Sequence, residues 1–176
     1  MKATGIVRRI DELGRIVIPK EIRRIFRIKE GTPLEIFSGD NGELILKKYS
    51  PILELADLSY EVAESLSASL NCVVLITDID KVIAVSGGGK KNFEGKNLAF
   101  SLEKVLHDRN VVIKNGDLIK ICETESFEYA SQIIVPIVPN GDVVGGVVLL
   151  HKTENFNEND VKVVKTMTKF IEKQIS

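Results

Sequence analysis

Short bursts of apolar residues fill the first fifty positions of the chain, and longer, nearly solid apolar runs follow. Residues 6–10 (IVRRI) and 15–18 (RIVI) are β-branched segments of strand length. The DELG between them predicts a turn, with Gly14 free to take positive φ. Pro19 stands where a helix begins, because its missing N–H costs nothing there. At about 100° per residue, the segment KEIRRIF places Ile22, Ile25 and Phe26 on one face. Arg23, Arg24 and Arg27 fall on the opposite face and project outward together. Strands follow at residues 34–38 and 43–49, and Asn41-Gly42 between them is a tight-hairpin signal.

Ser50-Pro51 breaks the last of these strands and starts a helix over residues 52–70. Leu55, Leu58, Val62 and Leu66 form its apolar stripe, while Glu54, Asp57, Glu61 and Glu64 form a separate acidic one. The apolar stripe either covers its own domain or pairs with the same helix of a partner chain, and some of each is expected. Beyond Asn71 the period changes to two. Strands are predicted at 72–77 and 82–86 around a turn at 78–81, followed by a loop over 87–91. A helix over 97–108 carries Leu98, Leu102, Val105 and Leu106 on one side. Short strands at 111–113 and 118–123 precede a hairpin of 132–138 and 143–152 about Pro139-Asn140-Gly141-Asp142. The run Asn157-Glu158-Asn159-Asp160 caps a final helix. This order describes an antiparallel sheet with helices gathered on it, an α+β domain. The chain is therefore expected to divide into residues 1–52 and 53–176.

Charge sharpens that division. Residues 1–50 hold eleven Lys and Arg against seven Asp and Glu, a net of +4, and the remainder nets −5. A basic head on an acidic body suggests that only the head meets a polyanion. The head is also too small to bury much surface alone. With neither metal nor disulfide to help, its remedy is a second copy. A homodimer with a shared core is expected, and its two-fold symmetry suits double-stranded DNA.

The phrases GIVRRIDELGRIVIPKEIRR and LEIFSGDNGELILKKY resemble the N-terminal domain of the AbrB family of bacterial transition-state regulators, over nearly all of residues 1–50. The resemblance implies a swapped-hairpin β-barrel dimer that binds DNA without a helix-turn-helix. It puts the DNA contacts at Arg8, Arg15, Arg23 and Arg24, with Arg9 at a position also basic in relatives. Arg27 departs from the family, where a glycine often closes the helix. The substitution adds a positive charge near the proposed DNA face and predicts a differently built helix end. Arginine suits the role, since its planar fork fits phosphate oxygens and the O6/N7 edge of guanine. No aromatics are interleaved with Arg8, Arg9, Arg15, Arg23 and Arg24, which disfavours base stacking on single strands.

The second part resembles a GAF domain, a small-molecule sensor module, in element order and texture. The signature of its cyclic-nucleotide-binding members is not evident, so no ligand residue is carried over and the ligand stays unknown. An AbrB-like head on a GAF-like body implies a transcription regulator, repressor and activator, of late, forespore sporulation genes. The body adds a second interface, and a homotetramer is expected.

Other chemistry is weak. Gly87-Gly88-Gly89-Lys90-Lys91 lacks the Ser/Thr of a phosphate-binding loop, and no helix is expected to follow it. Cys72 and Cys122 lie far apart and suggest buried thiols. His107 reads as an exposed helix end. No cofactor, metal site or enzyme activity is expected. The longest apolar run, 143–150, is too short to span a bilayer, and MKATGIVRRI has no secretory h-region. The expected place is the cytoplasm, in association with the nucleoid. Two alternatives stay open. One is an antitoxin, which uses the same barrel but usually carries a short disordered tail. The other is a GAF-fold thiol reductase, which would depend on Cys72 or Cys122.

Overall fold

The structure, a computed structural model, describes residues 5–124 and 129–175. The chain divides into two compact units, Met1–Tyr49 and Ser50–Ser176. In the head, helix α1 (Lys20–Ile25) precedes strands β1 (Leu34–Ser38) and β2 (Leu44–Lys48). The strands pair antiparallel, from Leu34 opposite Lys48 to Ser38 opposite Leu44. The turn between them is closed by Gly39 N donating to Glu43 O at 2.8 Å, with Gly42 at φ +75. This is the hairpin expected at Asn41-Gly42.

The strands expected at 6–10 and 15–18 do not form within the single chain. Only their turn does, with Asp11 N donating to Arg15 O at 3.0 Å. A strand exists through its ladder, and these β-branched segments meet no neighbouring strand among the described residues of their own chain. The swapped-hairpin barrel is likewise absent from one chain, which carries a two-stranded sheet there. No described residue of the head is buried. Val7, Leu13, Val17, Ile25 and Leu44 are each at least 70% exposed.

The body begins with α2 (Pro51–Glu54) and α3 (Ala56–Leu70). The single helix expected over 52–70 is therefore broken at Leu55, whose backbone (φ −99, ψ 32) leaves the helical range. Strands β3 (Val73–Asp78), β4 (Val82–Ser86), β5 (Val112–Asn115), β6 (Ser131–Ile137) and β7 (Gly145–His151) follow. They form one antiparallel sheet in the order β4-β3-β7-β6-β5. On one face, Val74, Ile76, Ile133, Val135 and Leu149 pack with Val62 and Leu66 of α3 and with Val164 and Ile171 of the last helix, α6 (Glu158–Ile175). On the other, Val73, Leu75, Ile134 and Val148 meet Phe93, Leu98, Leu102 and Leu106 around the short helices α4 (Lys90–Phe93) and α5 (Phe100–His107). Alternate residues of β3 thus serve opposite cores. With both faces covered, its strands read as solid apolar runs.

Local chemistry sets the ends. Asn157 Oδ1 accepts from Asn159 N at 2.8 Å and Asp160 N at 3.3 Å, and Asp160 Oδ2 accepts from Asn157 N at 2.8 Å. This reciprocal box starts α6 where the sequence places it. Residues 118–123 are not a strand; Leu98 and Cys122 make an isolated bridge there. The buried Gln132 side chain takes over the pairing, accepting from Ile119 N and donating to Ile119 O, both at 3.0 Å. A helical turn, α4, does follow the triple glycine, against expectation. It is held to α3 by Tyr60, whose hydroxyl donates to Glu94, with Lys90 5.0 Å from the Tyr60 ring.

The body's first residues are anchored in its own core. Ser50 Oγ donates to Asp78 Oδ2 at 3.0 Å and accepts from Leu53 N at 3.3 Å, capping α2. Ile52 is fully buried against the α3 face of the sheet. Ile52→Ala should therefore destabilise the body by about 3 kcal/mol, the cost of an aliphatic truncation that leaves a cavity. Urea denaturation of the full chain checks this, and an unchanged midpoint would contradict the packing of Ile52.

Candidate nucleic-acid interface

Arg8, Arg9, Arg15, Arg23, Arg24 and Arg27 are all exposed, so none is used to pack a core. Arg8 Nη1 donates to the neighbouring Val7 O, at 3.2 Å. Arg15 is held by Asp11, whose Oδ2 lies 2.8 Å from Arg15 Nε. The Arg15 N–H and side chain together keep the Asp11 carboxyl below the usual carboxylate range. A group with a depressed pKa stabilises above its unfolded value, so this clamp is present at neutral pH and lost as pH falls through the lowered value.

Arg23 and Arg24 occupy the last turn of α1, where positive charge is favoured by the helix dipole. Their carbonyls also close the helix. Ile28 N donates to Arg23 O at 2.7 Å, and Arg27 N donates to Arg24 O at 3.3 Å. These are the two bonds of a Schellman motif, with Arg27 in the left-handed position at φ +51. The helix end is therefore not built differently for lack of a glycine. Arginine adopts the conformation that glycine would supply, at a steric cost of about 1–2 kcal/mol. The apolar side of α1 does not face inward within one chain: Ile25 is 71% and Phe26 57% exposed.

Sequence reasoning read Asp11 as a turn residue and missed its hold on Arg15. The available signal was an aspartate four residues before an arginine with a glycine between them. It also missed Lys47, whose Nζ lies 4.7 Å from the Phe37 ring centroid.

The body offers a cleft of about 260 Å³ lined by Ser67, Asn71, Cys72, Gly87, His151 and Lys152, among others. Gly87 is required there, since a Cβ would sit 2.2 Å from Cys72 O. Burial, then the charge of Asp160, pushes the Cys72 thiol up to about 12, so it is protonated at neutral pH. Cys122 is buried as well, and the two are not joined in a disulfide. The His107 side chain is 91% exposed at the end of α5. Among the described residues no group of three or more His, Cys, Asp and Glu is placed to hold a metal ion. No helix among them is long and apolar enough to cross a membrane.

Comparison with known proteins divides along the same line. Residues 54–176 match the family described as stage V sporulation protein T C-terminal, transcription factor. Residues 7–54 match the family described as antidote-toxin recognition MazE, bacterial antitoxin. The chain is 47% identical to stage V sporulation protein T of Bacillus subtilis (strain 168), over 99% of each chain. Over 51 residues it is 59% identical to the transition state regulatory protein AbrB of the same organism, covering 29% of this chain and 52% of that one. Among solved structures it resembles the cofactor-binding GAF domain of the nutrient sensor CodY from Clostridium difficile. There the TM-score is 0.55 at 18% identity, over 66% of this chain and 83% of that one. It also resembles a type II free methionine-R-sulfoxide reductase from Thermoplasma acidophilum, with a TM-score of 0.58 at 12% identity, over 70% of this chain and 94% of that one. At these identities the likeness shows the fold, which is GAF-like.

The helix end yields a direct test. Arg27→Gly should raise the stability of the head by about 1 kcal/mol by relieving the left-handed arginine. Thermal melting of the full chain checks this, and a lowered head transition would show that the Arg27 side chain stabilises more than its backbone costs.

Proposed function

This chain belongs to the family of stage V sporulation protein T transcription factors, and we propose that it binds double-stranded DNA through Arg8, Arg9, Arg15, Arg23, Arg24 and Arg27 of a dimeric head. The observation that carries the proposal is the state of the head in one chain: its arginines stand exposed while its apolar side chains lack cover. Two copies close a core from Ile16, Val17, Ile25 and Phe26, with residues 6–10 and 15–18 gaining strand partners across the pair. They thereby present two sets of arginines, related by a two-fold axis, to a duplex. The swapped-hairpin barrel is the arrangement in which this pairing occurs.

Within the family's work in sporulation, we assign the protein to late, forespore genes, repressing some and activating others. The GAF-like body is the regulatory and oligomerising half. On α6, Val163 and Phe170 remain 40% and 44% exposed, one helical face apart from the core, and they support a second interface and a tetramer. Any small-molecule control acts through this body.

The MazE-type match favours an antitoxin as the second reading, but a folded body of this size stands where antitoxins carry a toxin-binding tail. The GAF-fold reductase reading is not favoured, because the Cys72 thiol is buried and held protonated.

Replacing Arg23 and Arg24 together by alanine should weaken DNA binding while leaving the fold intact, since neither side chain packs. Every arginine–phosphate pairing that the substitution abolishes should flatten the slope of log K against log salt by about 0.9. Fluorescence anisotropy across a salt series measures both, and wild-type affinity in the double variant would refute the assignment. A fragment of residues 1–53 should sediment as a dimer; a folded monomer would refute the shared core.

A further inference from the structure

A carboxylate stands beside one of the proposed DNA-contacting arginines, and simple charge counting says that it should not. Asp11 is 40% exposed, and a negative charge there repels phosphate. Its hydrogen bonds give it another role. Asp11 Oδ1 accepts from Leu13 N at 3.0 Å and from Arg15 N at 2.8 Å, while Oδ2 accepts from Arg15 Nε at 2.8 Å. The backbone closes the same loop, with Asp11 N donating to Arg15 O and Gly14 N to Asp11 O, both at 3.0 Å. Gly14 supplies the required positive φ of +73. One residue thus fixes Arg15 at its main chain and at its side chain.

The point of attachment matters. Asp11 engages Nε, and the terminal Nη1 and Nη2 groups make no hydrogen bond among the described residues. That pair is the fork which meets two phosphate oxygens or the O6 and N7 of guanine. An exposed ion pair contributes little to stability. What this one supplies is restriction of a long side chain that otherwise spends entropy on binding.

Resting on the reading of Arg15 as a DNA contact, we propose that Asp11 is a positioning residue for DNA recognition, holding Arg15 by Nε so that its terminal fork is set before DNA arrives. Removing this negative charge therefore weakens binding, the reverse of its Coulombic effect. Asn at position 11 keeps an acceptor for the two backbone N–H groups but loses the charged clamp on Nε, which separates the clamp from the turn.

The test uses the full chain and a labelled duplex selected by the wild-type protein from a random library, with affinity read by anisotropy at one salt concentration. Asp11→Ala and Asp11→Asn should each bind roughly fivefold more weakly, the upper range for an exposed pair. Arg15→Ala should also bind more weakly, and adding Asp11→Ala to it should cause no further loss. Equal or tighter binding by Asp11→Asn, with Arg15→Ala still weakened, overturns the positioning role alone. An equal loss from Asp11→Ala in the Arg15→Ala background overturns it too, because Asp11 then acts through the fold. Wild-type binding by Arg15→Ala overturns both the positioning role and the DNA contact on which it rests.

Discussion

The head depends on one constraint: its apolar side chains are left uncovered by the described residues of their own chain. Ile16, Val17, Ile25, Phe26, Ile36 and Leu44 are all more than half exposed. Each methylene left in water forgoes about 0.8 kcal/mol of burial. One hairpin and one six-residue helix offer too little surface to recover that. The body is the opposite case, because its sheet is covered on both faces and each alternate residue has a core of its own. A unit that satisfies itself is thus joined to one whose apolar side chains stay exposed.

What the head does settle alone is local geometry. Three devices fix it without any core: the aspartate-closed turn at residues 11–14, the Schellman end of α1, and the hairpin turn at residues 39–42. The first two of these place arginines: Arg15 follows the turn, and Arg23 and Arg24 close the helix end. The directions in which Arg15, Arg23 and Arg24 leave the backbone are therefore set by turn chemistry, while in the proposed dimer their pairing across a two-fold axis is left to association. Short-range hydrogen bonding and long-range burial divide the work of building one surface.

The same division explains how much was legible in the sequence. The body's strands show as apolar runs of strand length, the head's hairpin as Asn41-Gly42 with Gly42 at positive φ, and the start of α6 as Asn157 bonding nearby backbone, so neighbouring residues reveal them. Residues 6–10 and 15–18 have strand composition, but a strand also needs a partner, and composition cannot supply one. The Gln132 clasp on Ile119 comes from a side chain 13 residues away, and the break at Leu55 follows soon after the buried Ile52, so neither shows in local pattern. Arg27 was legible as an oddity and misjudged in consequence: the missing glycine suggested a different helix end, whereas the backbone kept its course and arginine took the left-handed conformation. Asp11 shows that one residue can serve a turn and an arginine together, which a reading for turn signals alone passes over.

Ser50 has a practical consequence for modularity. One hydroxyl both joins the first residue of the body to Asp78 and caps α2, and Ile52 follows into a fully buried site. A foreign head grafted ahead of Ser50 inherits these fastenings intact. A graft made only three residues later, after Ile52, brings its own side chains into the body's interior and removes the cap. The natural seam for recombining this body with other DNA-binding heads therefore lies at Tyr49, and any chimera has to respect it.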